Sequence, residues 1–274
     1  MWINNIKIRN FRNYEEQEIN LNKDINVFFG ENAQGKTNII ESIFLCSMGK
    51  SFRAKKDREM IKFGKDIAIV EVNFEKKDRE GKIKIEISDK KQIYLNGIKI
   101  NKLSELLGNI NVVIFTPDDI DILKGGPQKR RRFLDMMICG LKPNYLNVLK
   151  SYQKTLEQRN NYLRQIKYEN REDNLLDIWD ESLAEYAVKV YNYRKEFIEK
   201  IKNKIINIHK EITDNNEEIE LKYVSDCDDK EKYIKKLRNR RKEDILRGFT
   251  QNGIHRDDFE IYNNKNIVNV YGSQ

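Results

Sequence analysis

Apolar and polar positions follow two different periods along the chain. Up to about residue 115, apolar residues fall in short runs rich in β-branched and aromatic side chains: residues 2–8, 25–29, 67–74, 82–87, 92–95, 98–100 and 111–115. Runs of this length and composition predict strands. The dipeptide Asn96-Gly97, set between QIYL and IKI, predicts a two-residue hairpin turn. From Asn144 to Arg247 there is neither glycine nor proline over 104 residues, where average usage would supply roughly a dozen. Here Trp179, Leu183, Tyr186, Val190, Phe197, Ile201, Ile205, Ile208 and Ile212 recur mostly at three- and four-residue spacing, the stripe of an amphipathic helix. Tyr145, Leu149, Tyr152, Leu156 and Leu163 form a second stripe upstream. The break between them, near residues 169–174, predicts an antiparallel helical hairpin. Residues 218–223 alternate like a strand, residues 231–246 read as a basic helix, and residues 258–262 and 267–271 as a closing hairpin.

The strand-rich opening and the helical middle together predict an α/β chain: residues 1–116 as the first part of one lobe, 117–247 as an inserted, mainly helical lobe, and 248–274 as a return toward the first. No apolar stretch approaches the length needed to span a membrane, and the N-terminus lacks a secretory apolar core. Cys46, Cys139 and Cys227 are far apart and include no C-x-x-C pair, so they read as reduced thiols of a cytoplasmic protein. His209 and His255 are the only histidines, which excludes histidine-rich metal sites.

One segment carries specific chemistry. Gly30-Glu31-Asn32-Ala33-Gln34-Gly35-Lys36-Thr37 is G-x-x-x-x-G-K-T. It follows the apolar run 25–29 and precedes Ile39, Ile40, Ile43 and Phe44 at helical spacing, the strand–loop–helix context of a P-loop. In such a loop the backbone N–H groups surround phosphate oxygens and the helix N-terminus adds partial positive charge. Lys36 is then the catalytic cation on the β- and γ-oxygens of ATP, and Thr37 offers its hydroxyl to Mg²⁺.

The net charge is +8, and it is clustered. Residues 230–247 hold nine Lys/Arg against three acids, and residues 50–58 hold five against Asp57. Clustered cations are the footprint of sequence-neutral binding to nucleic-acid backbones; no base-reading motif is visible. Lys129, Arg130, Arg131 and Arg132 stand together after Gly125-Gly126-Pro127, with Pro127 near the first position of a helix. Two readings stay open for them: contact with DNA phosphates or a nucleotide across a dimer, or pairing with Asp118, Asp119 and Asp135. His255 either lies near the nucleotide or holds a turn.

Four blocks together resemble a known family. Asn10-Phe11-Arg12-Asn13-Tyr14 after an opening strand resembles the head domains of the RecF, Rad50 and SMC class of ABC-type ATPases. The block from Pro117-Asp118-Asp119 through Lys124-Gly125-Gly126-Pro127 to Arg130-Arg131-Arg132-Phe133-Leu134-Asp135 is similar to the RecF signature. Gly49-Lys50-Ser51-Phe52-Arg53 and Gly253-Ile254-His255-Arg256-Asp257-Asp258 resemble two further RecF blocks, with Phe52 and Ile254 departing from the usual His and Pro. The resemblance implies an ABC-type ATPase head with a mixed sheet, an inserted helical lobe and a short helical arm. It also implies ATP-dependent homodimerisation, weak ATPase activity, binding to single-stranded or gapped duplex DNA, and cooperation with other recombination-mediator proteins in repair, replication restart and the SOS response. Two other classes compete. An SMC- or Rad50-like tether would need far more heptad sequence than the roughly 60 Å arm expected here, and a small-molecule P-loop kinase would not need the basic clusters. In RecF-like chains the signature helix resembles G-S-Q-G-Q-Q-R. The sequence stops at Gly272-Ser273-Gln274, inside that motif, so it is expected to lack the signature helix and the acidic Walker B strand and to hydrolyse ATP negligibly.

Overall fold

Alternation along residues 68–76, where Ala68, Val70, Val72 and Phe74 are buried and their neighbours are not, builds the sheet expected of the first lobe. A computed structural model describes residues 1–77, 79–169 and 173–268. It divides into two compact units, Met1–Ile114 and Phe115 onward.

The first unit holds strands β1 (Trp2–Phe11) and β2 (Tyr14–Asn20), helix α1 (Lys36–Met48), strands β3 (Ala68–Lys76), β4 (Arg79–Ile87), β5 (Gln92–Leu95) and β6 (Ile98–Ile100), and a short helix α2 (Leu103–Leu106). The sheet order is β2-β1-β3-β4-β5-β6, and each of these pairings is antiparallel. Asn96 and Gly97 both take positive φ, 50° and 82°, the backbone a two-residue hairpin requires. The core comprises Ile6, Ile8, Val70, Val72, Ile83 and Ile85 from the sheet with Ile39, Leu45 and Cys46 from α1. Strand β2 escaped the sequence reading because it is YEEQEIN, an edge strand that carries charge in place of apolar alternation.

Two expected strands are not strands. Residues 25–29 and 111–115 run without regular pairing. Phe28 and Val112 lean on the core, while Ile25, Val27, Phe29 and Val113 are 75–91% exposed. Both sides of β1 are already taken, by β2 and β3. An apolar run shows that a segment seeks cover, but it does not say which neighbour supplies it. The mixed sheet expected from the family is thus antiparallel among the described residues.

The second unit contains α3 (Asp121–Lys124), α4 (Pro127–Leu141), α5 (Pro143–Glu169), α6 (Leu176–Ile212), β7 (Ile219–Val224), α7 (Lys230–Asn239), α8 (Arg241–Arg247), β8 (Asp258–Asn263) and β9 (Asn266–Ile267). Pro127 begins α4, as its fixed φ favours. The long helices form the antiparallel hairpin expected: Arg159 reaches Asp180 at 2.7 Å and Tyr162 reaches Asn174 at 3.4 Å. The basic helix is two helices, broken at Arg240. Residues 258–263 pair antiparallel with β7. The second strand of the closing hairpin is observed as Asn266–Ile267, and residues 269–274, with Gly272-Ser273-Gln274, lie outside the described residues. All three cysteines are buried and none forms a disulfide among the described residues. No helix among the described residues is long and apolar enough to cross a membrane.

Candidate functional site

The loop from Gly30 to Thr37 leads into α1 through Gly35, which takes φ +101°. A side chain there would fail twice. The φ suits glycine, and an added Cβ would stand 2.7 Å from the Tyr14 hydroxyl and 2.8 Å from Asn13 Oδ1. Glu31, Asn32, Ala33, Gln34 and Thr37 are exposed, and Lys36 is half-buried. The Lys36 ammonium donates to the carbonyl oxygens of Gly30 and Glu31, both at 2.7 Å, so the cation is held over the loop. In the first turn of α1 the Asn38 N–H donates to the Gly35 carbonyl at 2.8 Å, while the N–H groups of Lys36 and Thr37 lie at the helix N-terminus, where no preceding turn supplies an acceptor. A helix N-terminus, one ammonium and the residue Thr37 exposed beside it suit a polyphosphate with a divalent cation.

Behind the loop lies a lock that the sequence reading did not find. Glu41 is fully buried in the middle of α1. Arg12 clamps it with two bonds, Nε to Oε2 at 2.9 Å and Nη2 to Oε1 at 2.6 Å, and sends Nη1 to the Glu59 carbonyl at 2.6 Å. The Ser51 hydroxyl also donates to Glu41 Oε1, while its oxygen accepts from the N–H groups of Arg53 and Ala54, both at 2.8 Å. Asn38 Nδ2 donates to Asn13 Oδ1 at 2.8 Å, and Arg53 Nη1 donates to Asn38 Oδ1 at 3.2 Å. The turn 10–14 and block 49–53 are therefore fasteners on α1, and Arg12 takes φ +56° inside this network. A lone acid among the apolar residues of α1 was the available signal for Glu41, since a buried carboxylate demands a cation.

Within the second unit, two members of the Lys129–Arg132 cluster have internal partners. Arg130 is 3% exposed and forks onto Asp258, with both bonds 2.7 Å long, while its Nη1 donates to the Gly125 carbonyl at 2.5 Å. Arg131 donates to the Asp257 carbonyl at 2.7 Å. For Arg130 and Arg131 the partners come from block 253–258, while the side chain of Asp118, also considered from sequence, lies outside the described residues. Asp135 is instead clamped by Arg194, at 2.9 and 3.1 Å. Arg132 is exposed. His255 is a satisfied interior residue. Its Nε2 faces the Thr250 carbonyl at 3.1 Å, so Nε2 carries the proton, and Nδ1 accepts from the Tyr152 hydroxyl at 2.7 Å. Burial pushes it down to about 4, and burial pushes Asp257 up despite its bond from Tyr223.

The basic cluster at 230–247 is partly spent on internal pairs. Arg241 meets Asp177 at 2.5 Å and buried Asp180 at 2.7 Å, Arg238 meets Asp177 at 3.0 Å, and Lys236 meets Asp226 at 2.6 Å. Lys235, Lys242 and Arg247 are exposed and make no ion pair among the described residues.

Comparison with known proteins places the chain. Residues 5–245 match a family described as an AAA domain. The chain is 42% identical over 278 residues to the DNA replication and repair protein RecF of Lachnospira eligens, covering 100% of this chain and 76% of that one. It is 43% identical over 282 residues to the protein of the same name from Clostridium perfringens, covering 100% and 77%. The chain belongs to the RecF family. A solved structure of the recombination mediator protein RecF with ATP superposes with a TM-score of 0.95 at 37% identity, covering 100% of this chain and 76% of that one. RecF with an ATP analogue gives 0.94 at 36% identity, again over 100% of this chain and 76% of that one. The fold is that of this family's ATPase head, α/β with a helical lobe, as the four sequence blocks imply.

Proposed function

We propose that this RecF-family chain binds ATP and Mg²⁺ at Gly30–Thr37 and uses nucleotide to control sequence-neutral DNA binding in recombinational repair and replication restart. The observation that carries the reading is the glycine loop at the N-terminus of α1, with Lys36 held over it and the Arg12–Glu41–Ser51 lock behind it. In this role the loop N–H groups hold phosphate oxygens, Lys36 neutralises charge on the β- and γ-phosphates, and Thr37 supplies a hydroxyl to the metal. ATP would be held by the loop and the N-terminus of α1 and would supply the polyphosphate charge that these groups meet. The relatives' names support repair as the setting, and the RecFOR pathway named for the structural neighbours supports recombination-mediator proteins as partners. ATP-dependent homodimerisation and a cytoplasmic location complete the reading.

Lys36→Ala removes the one ammonium over the loop and is expected to abolish measurable ATP binding in calorimetry, while the thermal transition without nucleotide stays in place. DNA affinity measured against salt, with and without ATP, should show a nucleotide effect in the wild type and none in Lys36→Ala. Unchanged ATP affinity in the variant would remove the assignment of this loop.

A further inference from the structure

Phe63 is 100% exposed, which is unusual for a large aromatic side chain in the apolar-alternating lobe. It sits at the outer corner of a tight turn. The Lys65 N–H donates to the Lys62 carbonyl at 3.0 Å, and Gly64 takes φ +78°. The turn has a firm base, because the Lys62 N–H donates to the Asn10 carbonyl and the Arg12 N–H to the Met60 carbonyl, both at 2.8 Å, and Ile61 bridges to Phe11. The ring is therefore presented on a rigid stub, and little further ordering is needed for it to meet a ligand.

Three cations stand beside it. A recess of about 530 Å³ beside the ring is lined by Arg58, Lys62 and Lys65, with Asp66, Asp89, Ser88 and the apolar Ile61 and Ile67. Residues 50–67 carry seven Lys/Arg against Asp57, Glu59 and Asp66, a net +4. Arg58 pairs with Asp89 and Lys62 with Glu15 at 3.4 Å, but pairs this exposed are worth at most about 1 kcal/mol and exchange readily for phosphate. A partner protein docking through Phe63 would want a broad apolar surround, and beside the ring only Ile61 and Ile67 of the recess lining are apolar, against three cations and two carboxylates.

We infer that Phe63 is a stacking platform for an unpaired DNA base, with Lys65 on a flanking phosphate. An aromatic face among cations suits a base whose own π-face is free, and within an intact duplex those faces are already stacked on one another. The inference rests on the DNA-binding reading above and gives it a DNA structure, a single strand or an unpaired end.

The test compares binding of the full chain to an oligothymidylate and to a long blunt duplex over a range of salt. Phe63→Ala is expected to weaken oligothymidylate binding about 5- to 150-fold, the loss of one stacked base, with the salt slope and duplex affinity unchanged. Phe63→Trp should keep the affinity, and its added emission should be quenched by the oligothymidylate. Lys65→Ala should flatten the single-strand salt slope by about 0.7. If the wild type binds neither DNA, the DNA-binding reading fails and this inference with it. If the wild type binds with a steep salt slope and Phe63→Ala binds equally well, the stacking platform alone is overturned. Loss of self-association in Phe63→Ala at unchanged DNA affinity would equally overturn it and make the ring a protein contact.

Discussion

At the scale of single residues, the chain places its charges where partners already wait. Glu41 has no access to water and depends on Arg12 and Ser51. Glu41→Gln should cost about 3 kcal/mol, because it leaves the Arg12 guanidinium, 20% exposed, without its carboxylate. Nucleotide affinity should fall with it, since α1 loses its fastening to turn 10–14; thermal denaturation and ATP titration check the two effects separately. His255 gives a pH signature. Its folded pKa of about 4 lies below the ordinary 6.5, so between these values the unfolded chain binds more protons. The stability from keeping His255 neutral is full above pH 6.5 and is lost as pH falls toward 4. Asp257, raised by burial, acts with the opposite sign, so the check is the difference between wild type and His255→Gln. Their melting temperatures should diverge at pH 7 and converge toward pH 4.

At the scale of elements, two features depart from what local pattern implies. The stretch read as one basic helix is α7 and α8, and its Arg241 is tied to buried Asp180. Arg241 is thus part of the packing between helices and is a poor choice for probing DNA contacts. The other feature is the pair of unpaired extended segments. Ile25 at 79%, Val27 at 75%, Phe29 at 91%, Val113 at 83% and Phe115 at 92% exposure amount to more exposed apolar surface than isolated surface residues normally present. The chain is expected to bind the dye ANS under native conditions. Phe29→Ser with Phe115→Ser should cut that emission without lowering the melting temperature, as neither ring is buried.

At the scale of the whole molecule, the surplus of +8 acts through the cations that internal pairs leave over. Lys235 and Lys242 are exposed and free of ion pairs among the described residues. Replacing both with Ala should weaken binding to every duplex sequence about equally and lower the salt slope by about 2, at roughly 0.9 per phosphate contact. A filter-binding series at several salt concentrations on two unrelated sequences measures both quantities. A change in sequence preference would show that these lysines read bases.

Motif and period were enough to read several parts of this protein from its residues alone. The glycine turn that opens α1, the Asn96-Gly97 hairpin, the α5–α6 hairpin and the four family blocks are legible because each depends on residues close together in the chain: a glycine that must take positive φ, a turn dipeptide, a helical stripe. Tertiary structure alone decided the rest. Which acid receives Arg130 is a matter of Asp258 arriving from 128 residues away, and no local spacing encodes that. Residues 25–29 and 111–115 carry the composition of buried strands, yet hydrogen-bonded neighbours make a strand, and β1 already has two. Glu41 shows the same limit from the other side. Its helix was legible, but a carboxylate becomes a lock only when the fold brings Arg12 and Ser51 to it, because the cost of burying charge is met by contacts between distant parts of the chain.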